Sequence, residues 1–185
     1  MAKQSIVPRG QDWNDALRNA TRSGAIAAAT VSTAVAVAGV RDSGSAVAPV
    51  NATSHIAWGE SAGAVESVDA KHTLVGMVLN AGACVFWATF YEKWFGRAAE
   101  RGDVGTALLG GAAVAAAAYV TDYHVVPKRL TPGWETRISP RSLAAAYVVL
   151  ALSLPLRGLL RNGSAARRAP RSRSRARRTP AARRG

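Results

Sequence analysis

The chain has 185 residues, 49% of them hydrophobic, and a formal net charge of +13, a length of about one domain. Residues 157–185 hold eleven arginines and no acid, which leaves 13 basic residues against all 11 acids in residues 1–156. The charge is therefore no ground for reading the whole protein as a nucleic-acid binder, and Cys84, the one cysteine, excludes an intramolecular disulfide and a thiolate metal cluster within one chain.

Residues 1–22 form a polar N-terminal segment with Lys3, Arg9, Arg18 and Arg22. Four uncharged stretches follow, each near the ~17–25 residues that a helix needs to cross a bilayer. They predict spans at about residues 23–40, 73–91, 104–126 and 143–160, the last two tolerating Asp122 and Arg157. The first lacks a small-residue cleavage site and more apolar segments follow it, so it reads as a retained span and not as a cleaved signal peptide. Alanine and glycine dominate the first and third spans, which suits a soluble Ala-rich bundle as well. A soluble amphipathic helix, however, shows charge at each turn of its outer face, and these stretches show none. The expected fold is all-α: an integral membrane four-helix bundle over residues 23–160, with a short interfacial or re-entrant helix between spans 1 and 2.

In the first span Gly24, Ala28, Ser32 and Ala36 fall four apart, a spacing that permits close helix approach and also a homo-oligomer. The short helix is expected in "NATSHIAWGE", residues 51–60. Pro49 should stop what precedes, and Asn51 or Thr53 suits an N-cap. Asn51, His55 and Trp58 would then share a face. Such a segment is too polar and short to cross, so it should roof the outer end of the bundle.

On the second span, His72, Gly76, Asn80, Ala83, Trp87 and Tyr91 predict one stripe, with Asn80 turned to the other helices because an amide facing lipid is costly. "FWATFYEKW", residues 86–94, reads as an aromatic belt ending in Glu92 and Lys93. After the third span, "VPKRLTPGWE" reads as a rigid loop whose Lys128, Arg129 and Trp134 are suited to lipid phosphates. Residues 161–185 cannot bury a core and are expected to be disordered. Their arginines should be drawn to anionic lipid headgroups. Nucleic acid is disfavoured as a partner, because no aromatic platform or binding motif accompanies them.

Basic residues in short flanks set orientation. They place both termini in the cytoplasm, loop 41–71 outside and loop 92–103 inside. Loop 127–142 dissents, since it should be outside yet carries Lys128, Arg129, Arg137 and Arg141. With four spans, His55, His72, Asp122 and His124 all fall at the outer side. Imidazoles and carboxylates are ordinary metal ligands, so these four are candidate ligands for a divalent metal, with Glu60 and Glu135 as candidate bases. No HExxH or similar spacing is present. Asp122 and His124 diverge by about 160° on a continuous helix, and they converge only if the helix ends there, which Pro127 allows. The plainer reading is that these groups close the bundle by hydrogen bonds.

"NATSHIAWG", "KHTLVG" with Asn80 beyond it, "FWATFYE" and "TDYHVVPKRLTPGWE" together resemble a group of small multi-pass bacterial inner-membrane proteins of uncharacterised function. The resemblance runs from Asn51 to the fourth span and leaves out the arginine tail. It implies a multi-pass protein of the bacterial inner (plasma) membrane and carries no activity to any residue. The alanine and arginine bias suits a GC-rich genome. The expected role is structural or accessory at the envelope, with a second copy or another membrane protein as partner. The alternative is a membrane-embedded metal-dependent enzyme with an outer-face site. A transporter ranks third, since Asn80 is the one clearly polar residue at mid-membrane.

Overall fold

The computed structural model of the chain describes residues 10–168, with side chains described through Ser164. Helix α1 covers Trp13–Ser43, capped by the Asp12 carboxylate on the Asp15 amide at 2.8 Å. It ends on Gly44 in the left-handed region. Two short helices, α2 (Ala48–Ala52) and α3 (His55–Trp58), precede a 3-10 turn at Glu60–Ala64. A wide π-type turn, Ala70–Leu74, then leads into α4, Val75–Arg101. Helix α5, Val104–Val120, continues through a second such turn at Thr121–Val125. Helix α6 is Pro140–Ser153 and α7 is Leu156–Arg168. Pro155 separates the last two, because it lacks an amide proton and its ring clashes with the preceding turn.

The long helices pack in a ring, α1 on α4, α4 on α5, α5 on α6 and α6 on α1, with α7 against α4 and α1. Contact pairs run in opposite senses along neighbours: Ser23 meets Glu92 where Ser32 meets Asn80, and Ser23 meets Arg157 where Asp42 meets Ser139. The bundle is therefore up-down-up-down. Its capped end carries residues 44–69 and the 126–139 loop. Its basal end carries the start of α1, the α4–α5 turn and α7.

Four helical segments, Trp13–Ser43, Ala70–Arg101, Val104–Val125 and Pro140–Ser164, are long and apolar enough to cross a membrane. Around a mainly hydrophobic core, the outer flanks are also apolar, unlike those of a water-soluble bundle. Val37, Met77, Phe86, Leu109 and Val148 lie exposed on the flanks while Glu92, Arg157, Asn80 and Ser23 lie inside. Apolar flanks around a partly polar interior suit a lipid surround, where the outer surface needs no polar groups. The chain is a multi-pass membrane protein.

The buried stripe of α1 is Ala16, Ala20, Ser23, Gly24, Ala27, Val31, Val35 and Gly39, mostly three and four apart as an antiparallel seam requires. The four-apart set expected from Gly24 drifts off this face. Steps of four overshoot a 3.6-residue turn, so Ala28, Ser32 and Ala36 are only half-buried. On α4 the inner stripe keeps Gly76, Asn80 and Tyr91, but it steps by four from Asn80 to Cys84 and Ala88, where the expected set stepped by three to Ala83 and then to Trp87. Gly24 touches α4 so closely that a Cβ there would lie 2.6 Å from the Val85 Cα.

Pro49 corrects the expected helix stop. It sits in the first turn of α2, where its missing amide proton costs nothing, and the Ser45 hydroxyl accepts from the Val47 and Ala48 amides at 3.3 and 3.1 Å. Asn51 lies inside α2 and does not cap a helix. At the other end, α7 runs on to Arg168, so residues 161–168, placed in the expected tail, are helical. Residues 169–185 lie outside the described residues.

Candidate functional site

The stretch from Asn51 to Glu60 organises the cap. Asn51 is 0% exposed. Its amide nitrogen donates to the Val65 and Ser67 carbonyls, both at 2.9 Å, and its oxygen accepts from the Thr73 hydroxyl at 2.8 Å. One side chain thus folds the 60–69 segment back onto the start of α4. Thr53 accepts from the Trp134 indole at 3.1 Å, and Trp134 is buried, not placed at a headgroup surface. The Arg129 guanidinium donates to the Ile56 carbonyl at 3.3 Å, and Arg137 binds the Gly63 carbonyl and the Glu66 carboxylate, both at 2.9 Å. Two of the basic groups in the dissenting loop are therefore spent on fastening the cap.

Where cap and bundle meet, a cavity of about 120 Å³ is lined by Asn80, Cys84, Trp87, Asp122, Trp134 and Tyr147 among others. The Tyr147 hydroxyl donates to Asp122 at 2.6 Å. Asn80 donates to the Ser32 hydroxyl at 2.9 Å across the α1–α4 seam, the interhelical role expected of it.

Three of the four candidate metal ligands, His55, His72 and Asp122, have separate hydrogen-bond partners, and the fourth, His124, lies exposed. His55 Nδ1 lies 2.7 Å from the Ala52 carbonyl and Nε2 lies 3.3 Å from the Lys128 carbonyl. His72 Nδ1 binds Asp69 at 2.6 Å, and Asp69 also accepts the His72 amide at 2.7 Å. These bonds, the ring first and the backbone second, hold the half-buried Asp69 carboxyl below its usual range. Asp122 holds Tyr147, and the exposed His124 ring stands 5.8 Å from the Tyr119 ring. The helical turn after α5 runs on to Val125, and along it Asp122 is half-buried while His124 is exposed. Of the candidate bases, Glu60 is exposed and Glu135 accepts from the Thr131 hydroxyl at 2.9 Å. Among the described residues no three His, Cys, Asp or Glu side chains come together around one point.

The densest polar constellation is at the basal end. Glu92 is 1% exposed and Arg157 5%. Arg157 donates to Glu92 through Nε at 2.9 Å and Nη2 at 2.6 Å, and Nη2 also reaches Glu100 at 3.0 Å. Gln11 donates to Glu92 at 3.1 Å, and the Ser23 hydroxyl donates to it as well. Desolvating a carboxylate and a guanidinium costs several kcal/mol per ion, and four donors on one carboxylate offset that. Gly96 makes the space: a Cβ there would lie 2.5 Å from Gln11 Nε2 and would strike the Glu92 carboxylate. The arrangement ties α1, α4 and α7 together and leaves Glu92 no open side for a reacting molecule.

Sequence reasoning passed over this pair. Glu92 reads as the end of an aromatic belt, and the separation of 65 positions between the partners leaves no local pattern. One signal was available: Arg157 interrupts an otherwise apolar span, and a charge in a span requires a partner. Comparison with family models, with curated proteins and with solved structures found no match for this chain.

Proposed function

We propose that this chain is an integral protein of the bacterial inner (plasma) membrane, with both termini in the cytoplasm and a structural or accessory role at the envelope. The observation that carries the non-enzymatic reading is how the bundle uses its polar side chains. Glu92 with Arg157, Asn80 with Ser32, Asp122 with Tyr147 and His72 with Asp69 are matched to partners within the fold. A catalytic centre keeps at least one reactive group turned to an open position. The orientation is supported by Arg18, Arg22, Lys93, Arg97, Arg101 and Arg161, all at the basal end, since short cytoplasmic flanks are enriched in Lys and Arg. In this orientation the arginine tail meets the anionic surface of the inner leaflet.

Two measurements test the proposal. In a Cys84→Ser background, single cysteines at Ser67 and Gly163 are exposed to a membrane-impermeant maleimide in intact spheroplasts. Labelling at position 67 with protection at 163 is expected, and the reverse pattern overturns the orientation. Metal content of detergent-purified, tag-free protein is the second. Near-stoichiometric metal that disappears in His55→Ala/His72→Ala would replace the accessory role with the metal-enzyme reading.

A further inference from the structure

An open cleft of about 1030 Å³ lies at the basal end between α1, α4 and α7. Five arginines line it, Arg18 and Arg22 from α1, Arg97 and Arg101 from α4, and Arg161 from α7, against two carboxylates, Asp15 and Glu100. Both carboxylates are engaged, Asp15 by Arg18 and Glu100 by Arg157 and Arg161. Arg22, Arg97 and Arg101 have no ion pair and no side-chain hydrogen bond among the described residues. Arg18 and Arg22, and likewise Arg97 and Arg101, stand four apart on their helices, a spacing at which like charges repel.

The lining of this cleft is tied into the bundle interior. Gln11 and Glu100 line it, and both bind into the buried Glu92–Arg157 network. Trp13 and Trp94 are exposed at the same end, and the exposed Leu17 lies in the lining itself. Tryptophan at a bundle end marks headgroup depth. Guanidinium forks match phosphate oxygens in pairs, and basic pockets between spans hold anionic headgroups.

We propose that this cleft is a binding site for the phosphodiester headgroup of an anionic phospholipid, clamped by Arg22, Arg97 and Arg101, with an acyl chain along Leu17. The site is separate from any attraction of the C-terminal arginines to the surface. It rests on the chain being membrane-embedded, and resistance of the native protein to alkaline extraction from membranes reports that premise on its own.

The full chain in neutral detergent is titrated with phosphatidylglycerol, phosphatidylcholine or inorganic phosphate, with lipid adducts read by native mass spectrometry and thermal unfolding followed in parallel. Saturable binding of phosphatidylglycerol, and none of phosphatidylcholine, is expected. Arg22→Gln/Arg97→Gln/Arg101→Gln weakens it on the order of a hundredfold, at about 1 kcal/mol per basic residue near the surface. Arg171→Gln/Arg173→Gln/Arg175→Gln, which removes the same charge from the tail, leaves the affinity unchanged. Equal loss from both triple variants would assign the affinity to general basic charge and overturn the site. An equal response to inorganic phosphate would overturn the lipid occupant. Should the glutamine triple fail to fold, Arg22→Lys/Arg97→Lys/Arg101→Lys keeps the charge and loses the paired geometry. Weaker binding is then expected, and unchanged affinity counts against the clamp.

Discussion

Glu92 and Arg157 show what a single side chain decides in this protein. Removing the guanidinium leaves a carboxylate that is 1% exposed without its counter-charge, so Arg157→Ala should lower stability by about 3–5 kcal/mol. Replacing both ions by apolar groups of similar size, as in Glu92→Leu/Arg157→Met, removes the charge that needs compensating and should recover much of the loss. Unfolding of purified protein in mixed micelles compares the two, and equal destabilisation by both variants would contradict the pairing argument. Asp69 makes a prediction about pH. Its carboxyl is held below the ordinary 3.8 by the His72 ring and amide, so its stabilising effect is complete above that value and is lost as pH falls through the lower folded one. Protection of the His72 amide from exchange should therefore fall in strong acid only, and Asp69→Ala, which leaves no acceptor, should lack that protection at every pH. The four candidate ligands were legible as polar residues gathered at one end of the spans. Their separation was not, because it depends on carbonyls and hydroxyls contributed by the cap and by α6.

Among the elements, α4 and the cap segment respond differently to substitution. Gly96→Ala places a methyl group against Gln11 and Glu92, while improving helix propensity by about 1 kcal/mol. The clash should win, because the atoms it meets are fixed by four donors. A lower unfolding midpoint for Gly96→Ala is expected, and a higher one would mean that the network gives way freely. Asn51→Ala removes three hydrogen bonds that hold residues 65–73 to α2. Proteolysis within 60–69 should become faster by an order of magnitude or more, given about 1 kcal/mol per bond, while the four long helices keep their midpoint. Helix ends such as Asp12 and Asp103 are readable locally, because each side chain caps an amide three residues on. Pro49 misleads for the same local reason: only the Ser45 cap before it shows that a helix begins there and does not stop.

For the whole molecule, four helices long and apolar enough to cross a membrane, with apolar side chains exposed on their flanks, make the chain a multi-pass membrane protein. The four spans were legible because stretches of four or five turns without charge fit few other surroundings. Their buried faces were legible only in part. Gly76, Asn80 and Tyr91 were assigned to the inner stripe from spacing and from the cost of an amide facing lipid, whereas Cys84 and Ala88 stand in place of Ala83 and Trp87 because the seam steps by four after Asn80 where a step of three was expected. What the amino-acid order determined by itself is the number of spans and the concentration of arginine at one end, both of which depend on neighbours within a few turns. The tertiary structure alone decided that Glu92 meets Arg157, that Trp134 plugs the cap, and that arginines from three helices border one cleft. Those contacts join residues tens of positions apart, and only packing of the helices sets the distances between them.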